Sequence, residues 1–85
     1  MRELRHLGVY ELAGTPYRLF AVRAENGSFF LYDAGSGGGA APMFVLRSDG
    51  RLRFSFGAET RWRAEDLVDT GWDLAHQGGE GGDAG

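Results

Sequence analysis

Residues Met43–Phe56 read MFVLRSDGRLRFSF, and this stretch decides the fold class. Asp49-Gly50 is a turn pair that tolerates the positive φ angles of a two-residue hairpin loop. The residues that follow, from Arg51 to Phe56, alternate between polar and apolar with the period of two that is typical of a strand. We therefore predict a β-hairpin with two distinct faces. Its predicted core face carries Met43, Val45, Leu52, Phe54 and Phe56, and its outer face carries Phe44, Leu46, Ser48, Arg51, Arg53 and Ser55.

A second hairpin is predicted from Tyr17–Ala24 and Ser28–Asp33, joined at Asn26-Gly27, the strongest short turn pair. A two-residue loop places Phe20, Val22, Ala24, Phe29 and Leu31 on one face, and Leu19, Ala21, Arg23, Phe30 and Tyr32 on the other. Both faces are mostly apolar, whereas a sheet exposed on one side alternates more cleanly. The hairpin is therefore expected to be covered on both sides, by barrel closure, a terminal segment or a second subunit.

The remaining segments complete an antiparallel meander. Gly8–Leu12 and Thr60–Arg63 are predicted as short strands, and Ala64–Asp69 as one helical turn near the C-terminus, with acids in its first turn. The sum is an all-β fold of five or six short strands. Strands at this spacing favour a small SH3-like or partly open barrel. The alternative is a flat meander that dimerises through its second apolar face.

The facing of Trp62 depends on the turn at Gly57–Glu59. A shift of one residue moves every side chain of a strand to the opposite face. A loop of three or five residues buries Trp62 and leaves Arg61 and Arg63 outside, whereas a two-residue loop does the reverse. We favour the odd loop because it buries the tryptophan and solvates the arginines.

Length and composition indicate one small domain of 85 residues. We place the domain at residues 1–76 and expect the Gly-rich residues 77–85, which lack apolar side chains, to be disordered. The absence of cysteine excludes disulfides and thiolate sites. We find neither an uninterrupted apolar leader nor a run long enough to span a bilayer, so we predict a soluble, cytoplasmic protein without membrane contact.

Charge is distributed unevenly along the chain. Residues 42–63 hold five arginines against two acids, a net charge of +3, whereas the rest holds four arginines against ten acids, a net charge of −6. Lysine is absent, so all nine basic side chains are arginines. A basic sheet surface beside an acidic C-terminal segment is the main electrostatic feature.

No motif predicts a catalytic or cofactor site. The loop at Ala34–Ala41 contains a glycine pattern that resembles a dinucleotide fingerprint, but it leads into a strand and offers no helix N-terminus. His6 and His76 define no triad, and Glu65, Asp66, Asp69 and Asp73 fit no calcium loop. We therefore predict a non-enzymatic protein without cofactor or metal, and keep an enzyme only as a hypothesis based on groups that converge in space.

Two binding functions remain. Arg51, Arg53, Arg61 and Arg63 are predicted to share an outer face with Phe44, which could bind single-stranded nucleic acid or an acidic protein, or pair with the chain's own acids. Because the whole chain is acidic, nucleic acid is the alternative. The main prediction is a protein-interaction or self-associating domain that forms homo-oligomers through Leu19, Phe30 and Tyr32.

Overall fold

The computed structural model describes residues 3–36 and 41–74, which form a single antiparallel sheet. The all-β prediction is confirmed, with seven strands rather than five or six. The strands are β1 (Gly8–Leu12), β2 (Arg18–Arg23), β3 (Phe29–Asp33), β4 (Phe44–Leu46), β5 (Arg51–Phe54), β6 (Glu59–Arg63) and β7 (Leu67–Asp73). Two 3₁₀ turns, Ala34–Ser36 and Ala64–Asp66, connect strands. The predicted helical turn at Ala64–Asp69 is thus only half as long, because the chain enters β7 at Leu67.

The strands follow the order β6-β5-β4-β3-β2-β1-β7. The first six form a meander, and β7 returns to pair antiparallel with β1. The sheet curls into a half-barrel, which agrees with the predicted partly open barrel at the level of overall shape. Within the described ranges, no helix is long and apolar enough to cross a bilayer. The predicted disordered segment 77–85 lies outside the described residues.

One turn geometry closes three of the hairpins. In each turn a glycine N–H donates to the carbonyl oxygen three residues earlier, at 2.8–3.0 Å. The glycines are Gly27, Gly50 and Gly57, with φ of 89°, 78° and 105°. Among the described non-glycine residues only Leu7 has a positive φ, so Asn26 and Asp49 do not adopt the conformation of a two-residue loop. Each loop is instead a type I turn followed by a left-handed glycine, which makes it three residues long.

The longer loop overturns the predicted facing of β4 and β5. Leu46 pairs with Leu52 and Phe44 pairs with Phe54, one residue out of the predicted register. Phe44 and Leu46, predicted to lie outside, are therefore fully buried. Phe56, predicted to lie in the core, is 81% exposed. Among the predicted core residues Leu52 is buried as expected, whereas Val45 shares a face with Arg53.

The register of the β2–β3 hairpin differs from the predicted register in the same way. Ala21 pairs with Leu31, and Leu19, on the face of Ala21, is fully buried in the barrel core. The prediction that Leu19 shares an apolar face with Phe30 and Tyr32 is therefore wrong. Those two residues lie half-buried on the opposite face, where the Phe20 and Tyr32 rings stack at 5.2 Å.

The core fills the concave side of the curled sheet and is closed by the N-terminal segment. Leu4 is buried, and the backbone N–H of Arg5 donates to the Tyr10 hydroxyl at 2.8 Å. Met43 and Trp62 pack against this core without being fully enclosed. The buried cluster consists of Leu4, Tyr10, Leu12, Leu19, Ala21, Phe29, Leu31, Phe44, Leu46, Leu52, Ala64 and Leu67.

A Thr-x-Trp sequence occurs in both strands at the ends of the sheet, β6 and β7. The Thr60 hydroxyl donates to a carbonyl of β5 at 2.7 Å and accepts the N–H of Trp62 at 3.1 Å. The Thr70 hydroxyl donates to a carbonyl of β1 at 2.8 Å and accepts the N–H of Trp72 at 3.2 Å. Pairing is irregular at both places. Each threonine thus replaces ladder bonds that its bulge interrupts, and positions a tryptophan two residues later.

The β4–β5 turn should contribute acid-dependent stability through Asp49. Its carboxylate accepts the Arg51 backbone N–H at 3.1 Å and bonds the Arg53 guanidinium. The Arg51 bond first, and then Arg53, hold the pKa of Asp49 below its ordinary value. A lowered folded pKa gives stability that is present above the unfolded pKa, about 3.9, and is lost as pH falls through the folded pKa.

We expect Asp49→Asn to remove this acid-dependent contribution while keeping a side-chain oxygen for the turn. In urea unfolding at pH 7 the variant should be less stable than the natural chain, and the difference should shrink as pH falls below about 4. Glu25→Gln, at an exposed position in another turn, is the matched control. A difference that stays constant from pH 7 to pH 2.5 would contradict the assignment.

Candidate functional site

Two of the four predicted binding arginines are engaged within the chain. Arg53 donates to Glu59 at 2.9 Å and also bonds Asp49. Arg51 donates to the backbone carbonyl of Thr60 at 3.0 Å. Both side chains are half-buried and reach from β5 to the neighbouring strand β6. They therefore hold the two strands together, and only part of the predicted basic face is left for a partner.

Arg61 and Arg63 remain available on β6. Both are exposed, and neither forms an ion pair with a described residue. The guanidinium carbon of Arg61 lies 5.5 Å from the centre of the Trp62 ring. Trp62 turns toward the core and the two arginines turn outward, as the odd-loop interpretation predicts. The three-residue loop that produces this facing lies at Ser55–Gly57 rather than at Gly57–Glu59.

Phe44 does not lie beside the arginines. It is 1% exposed and packs inside the barrel, because the three-residue turn at Gly50 rotates β4 relative to the prediction. A ring buried to this extent cannot stack on a ligand from solvent. The continuous surface of four arginines and Phe44 that we predicted is therefore not formed.

An aromatic ladder runs from the core to the tip of the β5–β6 hairpin. The Trp62 ring meets Phe44 edge-on at 5.9 Å, and Phe44 stacks on Phe54 at 5.5 Å. Phe54 stacks on Phe56 at 5.3 Å with the two rings parallel within 1°. Exposure increases along this ladder, from 1% at Phe44 to 37% at Phe54 and 81% at Phe56. Its outer end is thus an apolar platform that is held in place by a buried base.

Phe56 is unusual for the position that it occupies. The three equivalent turns read Ala24-Glu-Asn-Gly-Ser28, Arg47-Ser-Asp-Gly-Arg51 and Phe54-Ser-Phe-Gly-Ala58. The residue before the glycine is Asn26 or Asp49 in the first two, and each side chain accepts a backbone N–H two residues later. Phenylalanine cannot make that bond and exposes its ring to water. The signal for this residue in the sequence is the mismatch between Phe56 and the Asn26 and Asp49 of the two other turns. The prediction that Phe56 belongs to the core does not use that signal.

A cleft of about 530 Å³, here called the Trp72 cleft, lies at the other end of the sheet. Its exposed aromatic walls are Tyr17 and Trp72. Arg5 holds the backbone at Trp72 in place. It donates a hydrogen bond to the Trp72 carbonyl at 2.9 Å and two to the Asp69 carboxylate, at 2.6 and 3.1 Å. The remaining lining residues are Val9, Pro16, Arg18, Asp33, Ala34, Gly35, Thr70 and Leu74.

The other polar candidates have structural partners or lie outside the described residues. His6 Nδ1 accepts the backbone N–H of Arg23 at 3.1 Å. Asp66 accepts the N–H of Arg63 at 2.9 Å and so caps the 3₁₀ turn. His76 and glycines 37–39 are not among the described residues. Across residues 3–36 and 41–74, no group of three or more His or acidic side chains is placed to hold a metal.

Comparison of the chain with protein-family models, with curated proteins and with solved structures finds no match. What the ladder and the cleft do must therefore be inferred from their own geometry and charge.

Proposed function

We propose that this domain is a non-enzymatic protein-binding module. Its partner is an acidic segment with apolar side chains, which packs on Phe54 and Phe56 and crosses the edge strand β6 to pair its carboxylates with Arg61 and Arg63 on the outer face. The observation that carries the proposal is the 81% exposure of Phe56 at a turn position where the two sister hairpins hold a polar, turn-bonding side chain.

Energetics support a binding role for the exposed end of the ladder. Fully burying a phenylalanine side chain contributes about 1.5–3 kcal/mol, and parallel aromatic contacts add about 0.5–1.5 kcal/mol. Aromatic and arginine side chains dominate the contact energy of protein interfaces. Stacking on Phe54 fixes the ring of Phe56 before a partner arrives, which lowers the entropy lost on binding.

The charges of the two outward arginines select the partner. Arg51 and Arg53 are engaged in the hairpin itself, whereas Arg61 and Arg63 keep their guanidinium groups exposed to solvent. Arg61 and Arg63 are two positions apart on the strand, which corresponds to about 6.6–6.8 Å along the chain. Carboxylates at alternate positions of an extended partner segment match this spacing and approach from solvent at little desolvation cost.

The test is binding of labelled 12-residue peptides to the full chain, followed by fluorescence anisotropy. One peptide alternates glutamate with leucine and phenylalanine, and a matched peptide carries lysine in place of glutamate. We expect the acidic peptide to bind at micromolar to submillimolar concentration and the basic peptide at least tenfold more weakly. Raising salt from 50 to 500 mM should weaken the acidic complex.

The matched variant is Phe56→Asn, which restores the side chain that the other turns use. It should weaken peptide binding tenfold or more and leave the thermal midpoint unchanged or slightly higher. Equal affinity of Phe56→Asn and the natural chain would contradict the proposal. So would an equal affinity for the acidic and the basic peptide.

Single-stranded nucleic acid is the second candidate, because parallel exposed rings also suit base stacking. The chain's net charge of −3 works against it. Binding of oligothymidylate at low salt, with loss in Phe56→Asn and no binding of the acidic peptide, would favour this candidate over a protein partner.

A further inference from the structure

We infer that one partner of this module is a second copy of the chain, with Phe56 of one copy seated in the Trp72 cleft of the next. This inference rests on the proposed function, since it names an occupant for the same aromatic tip. It joins two features on different strands of one molecule: a protruding apolar tip and a cleft with two exposed aromatic walls.

The Trp72 cleft has the size and walls to take the tip. Its volume of about 530 Å³ falls within the 300–1,000 Å³ typical of sites that enclose a ligand. Trp72 is 53% exposed and lines the cleft together with Tyr17 and Pro16. Apolar side chains from Val9 and Leu74 complete it. These surfaces offer a phenylalanine ring aromatic and aliphatic contacts at once.

The cleft cannot be filled from the chain's own neighbouring sequence. Phe56 of the same molecule is exposed to solvent and is not among the residues that line the cleft. The residues that follow its walls, 37–41 and 75–85, contain no aliphatic or aromatic hydrocarbon side chain larger than alanine. These two segments therefore do not compete with the tip of a second copy for the cleft.

The charges around the two surfaces are complementary. The tip belongs to residues 42–63, which carry a net charge of +3 and expose Arg61 and Arg63. Trp72 belongs to residues 64–85, which hold six acids and no arginine. Arg5 offsets part of this charge by pairing with Asp69 and Asp73. Among the described charged residues that line the cleft or pair with its lining and with Arg5, four acids (Glu11, Asp33, Asp69 and Asp73) stand against Arg5 and Arg18. This net negative charge attracts a docking tip.

Because tip and cleft lie at opposite ends of the sheet, we expect a heterologous contact without reciprocal exchange within a pair. A docked pair then presents one free cleft, on the copy that gave its tip, and one free tip, on the copy that received it. Such an interface adds copies in succession unless rotation closes a ring. We therefore expect a distribution of oligomers that grows with concentration and shrinks with salt, rather than one fixed dimer.

Light scattering and sedimentation on the full chain test the inference. From 10 μM to 1 mM the weight-average mass should rise past twice that of the monomer, and 500 mM salt should reverse the rise. Phe56→Asn should stay monomeric because it lacks the tip. Trp72→Ser and Tyr17→Ser, which each remove one wall of the cleft, should also stay monomeric.

Mixing Phe56→Asn with Trp72→Ser gives the decisive measurement. The first variant keeps the cleft and the second keeps the tip, so an equimolar mixture should form dimers and nothing larger. A natural chain that is monomeric at 1 mM overturns the inference, as does a fixed dimer that survives in both variants. If the acidic peptide still binds a monomeric natural chain, the self-association fails while the proposed function stands.

Discussion

Phe44→Ala is expected to lose a large part of the stability of the domain. The ring is 1% exposed and contacts Phe54 and Trp62 at ring-centre distances of 5.5 and 5.9 Å. Truncating a buried phenylalanine to alanine costs about 3–5 kcal/mol, since contacts are lost and a cavity remains. Domains of this size are stable by only about 4–13 kcal/mol, so the variant should unfold at a clearly lower urea concentration and temperature than the natural chain.

The matched control is Phe56→Ala, one step further along the same ladder. Because Phe56 is mostly exposed, its truncation should change the free energy of unfolding by about 0.5 kcal/mol or less. Urea unfolding followed by circular dichroism measures both values. It does not rely on the fluorescence of Trp62, which Phe44 contacts. Comparable losses in the two variants, or a larger one at position 56, would mean that β4 faces the other way.

Thr60→Val is expected to destabilise the chain by about 1–3 kcal/mol, although its shape hardly changes. The Thr60 hydroxyl is buried and satisfies both the Leu52 carbonyl, at 2.7 Å, and the Trp62 N–H, at 3.1 Å. Valine leaves the buried Leu52 carbonyl and the part-buried Trp62 N–H without that partner, and an unpaired buried polar group costs about 1–3 kcal/mol. Thermal unfolding should shift downward by roughly 4–8 °C for each kcal/mol lost.

Thr70→Val provides the comparison, since Thr70 makes the same two bonds at the opposite end of the sheet. Thr70 is only half-buried, so water can take over the exposed bonds and the loss should be smaller. If Thr70→Val loses more stability than Thr60→Val, burial does not determine how much each threonine hydroxyl contributes to stability.

Alternation and turn residues were sufficient to predict the all-β class and the position of every hairpin that contains Asn26, Asp49 or Gly57. They were not sufficient to predict loop length. An Asn-Gly or Asp-Gly pair suits both a two-residue loop and a type I turn with a left-handed glycine. The choice between them depends on burying Phe44 and Leu46, a property of the whole barrel that no local sequence pattern contains.

Strand β7 was missed for a different reason. Gly71, Asp69 and Asp73 are poor strand formers, and acids at the start of the segment favour a helical turn. The segment becomes a strand because it pairs with β1, whose residues lie more than 50 positions earlier in the chain. Tertiary pairing at that separation overrides local preference and cannot be read from a short window.

The candidate site was predicted in part. The outward facing of Arg61 and Arg63 follows from burying Trp62, which the odd-loop interpretation anticipated. The engagement of Arg51 and Arg53 depends on where Glu59 and Thr60 lie in space, and so requires the register. Phe56 was assigned to the wrong side because alternation was extended past the end of β5 into the turn.

The shared three-residue turns also restrict how the length of this chain can evolve. Removing one residue from a turn closed by Gly27, Gly50 or Gly57 would reverse the inward and outward sides of everything that follows it in the hairpin. Substitutions at the turn positions other than these glycines can be absorbed, whereas single-residue deletions cannot. The Gly-rich connection between β3 and β4 covers residues 34–43 and is more than three times as long as one of these turns. We expect homologous sequences to vary in length there and to keep the hairpin turns constant.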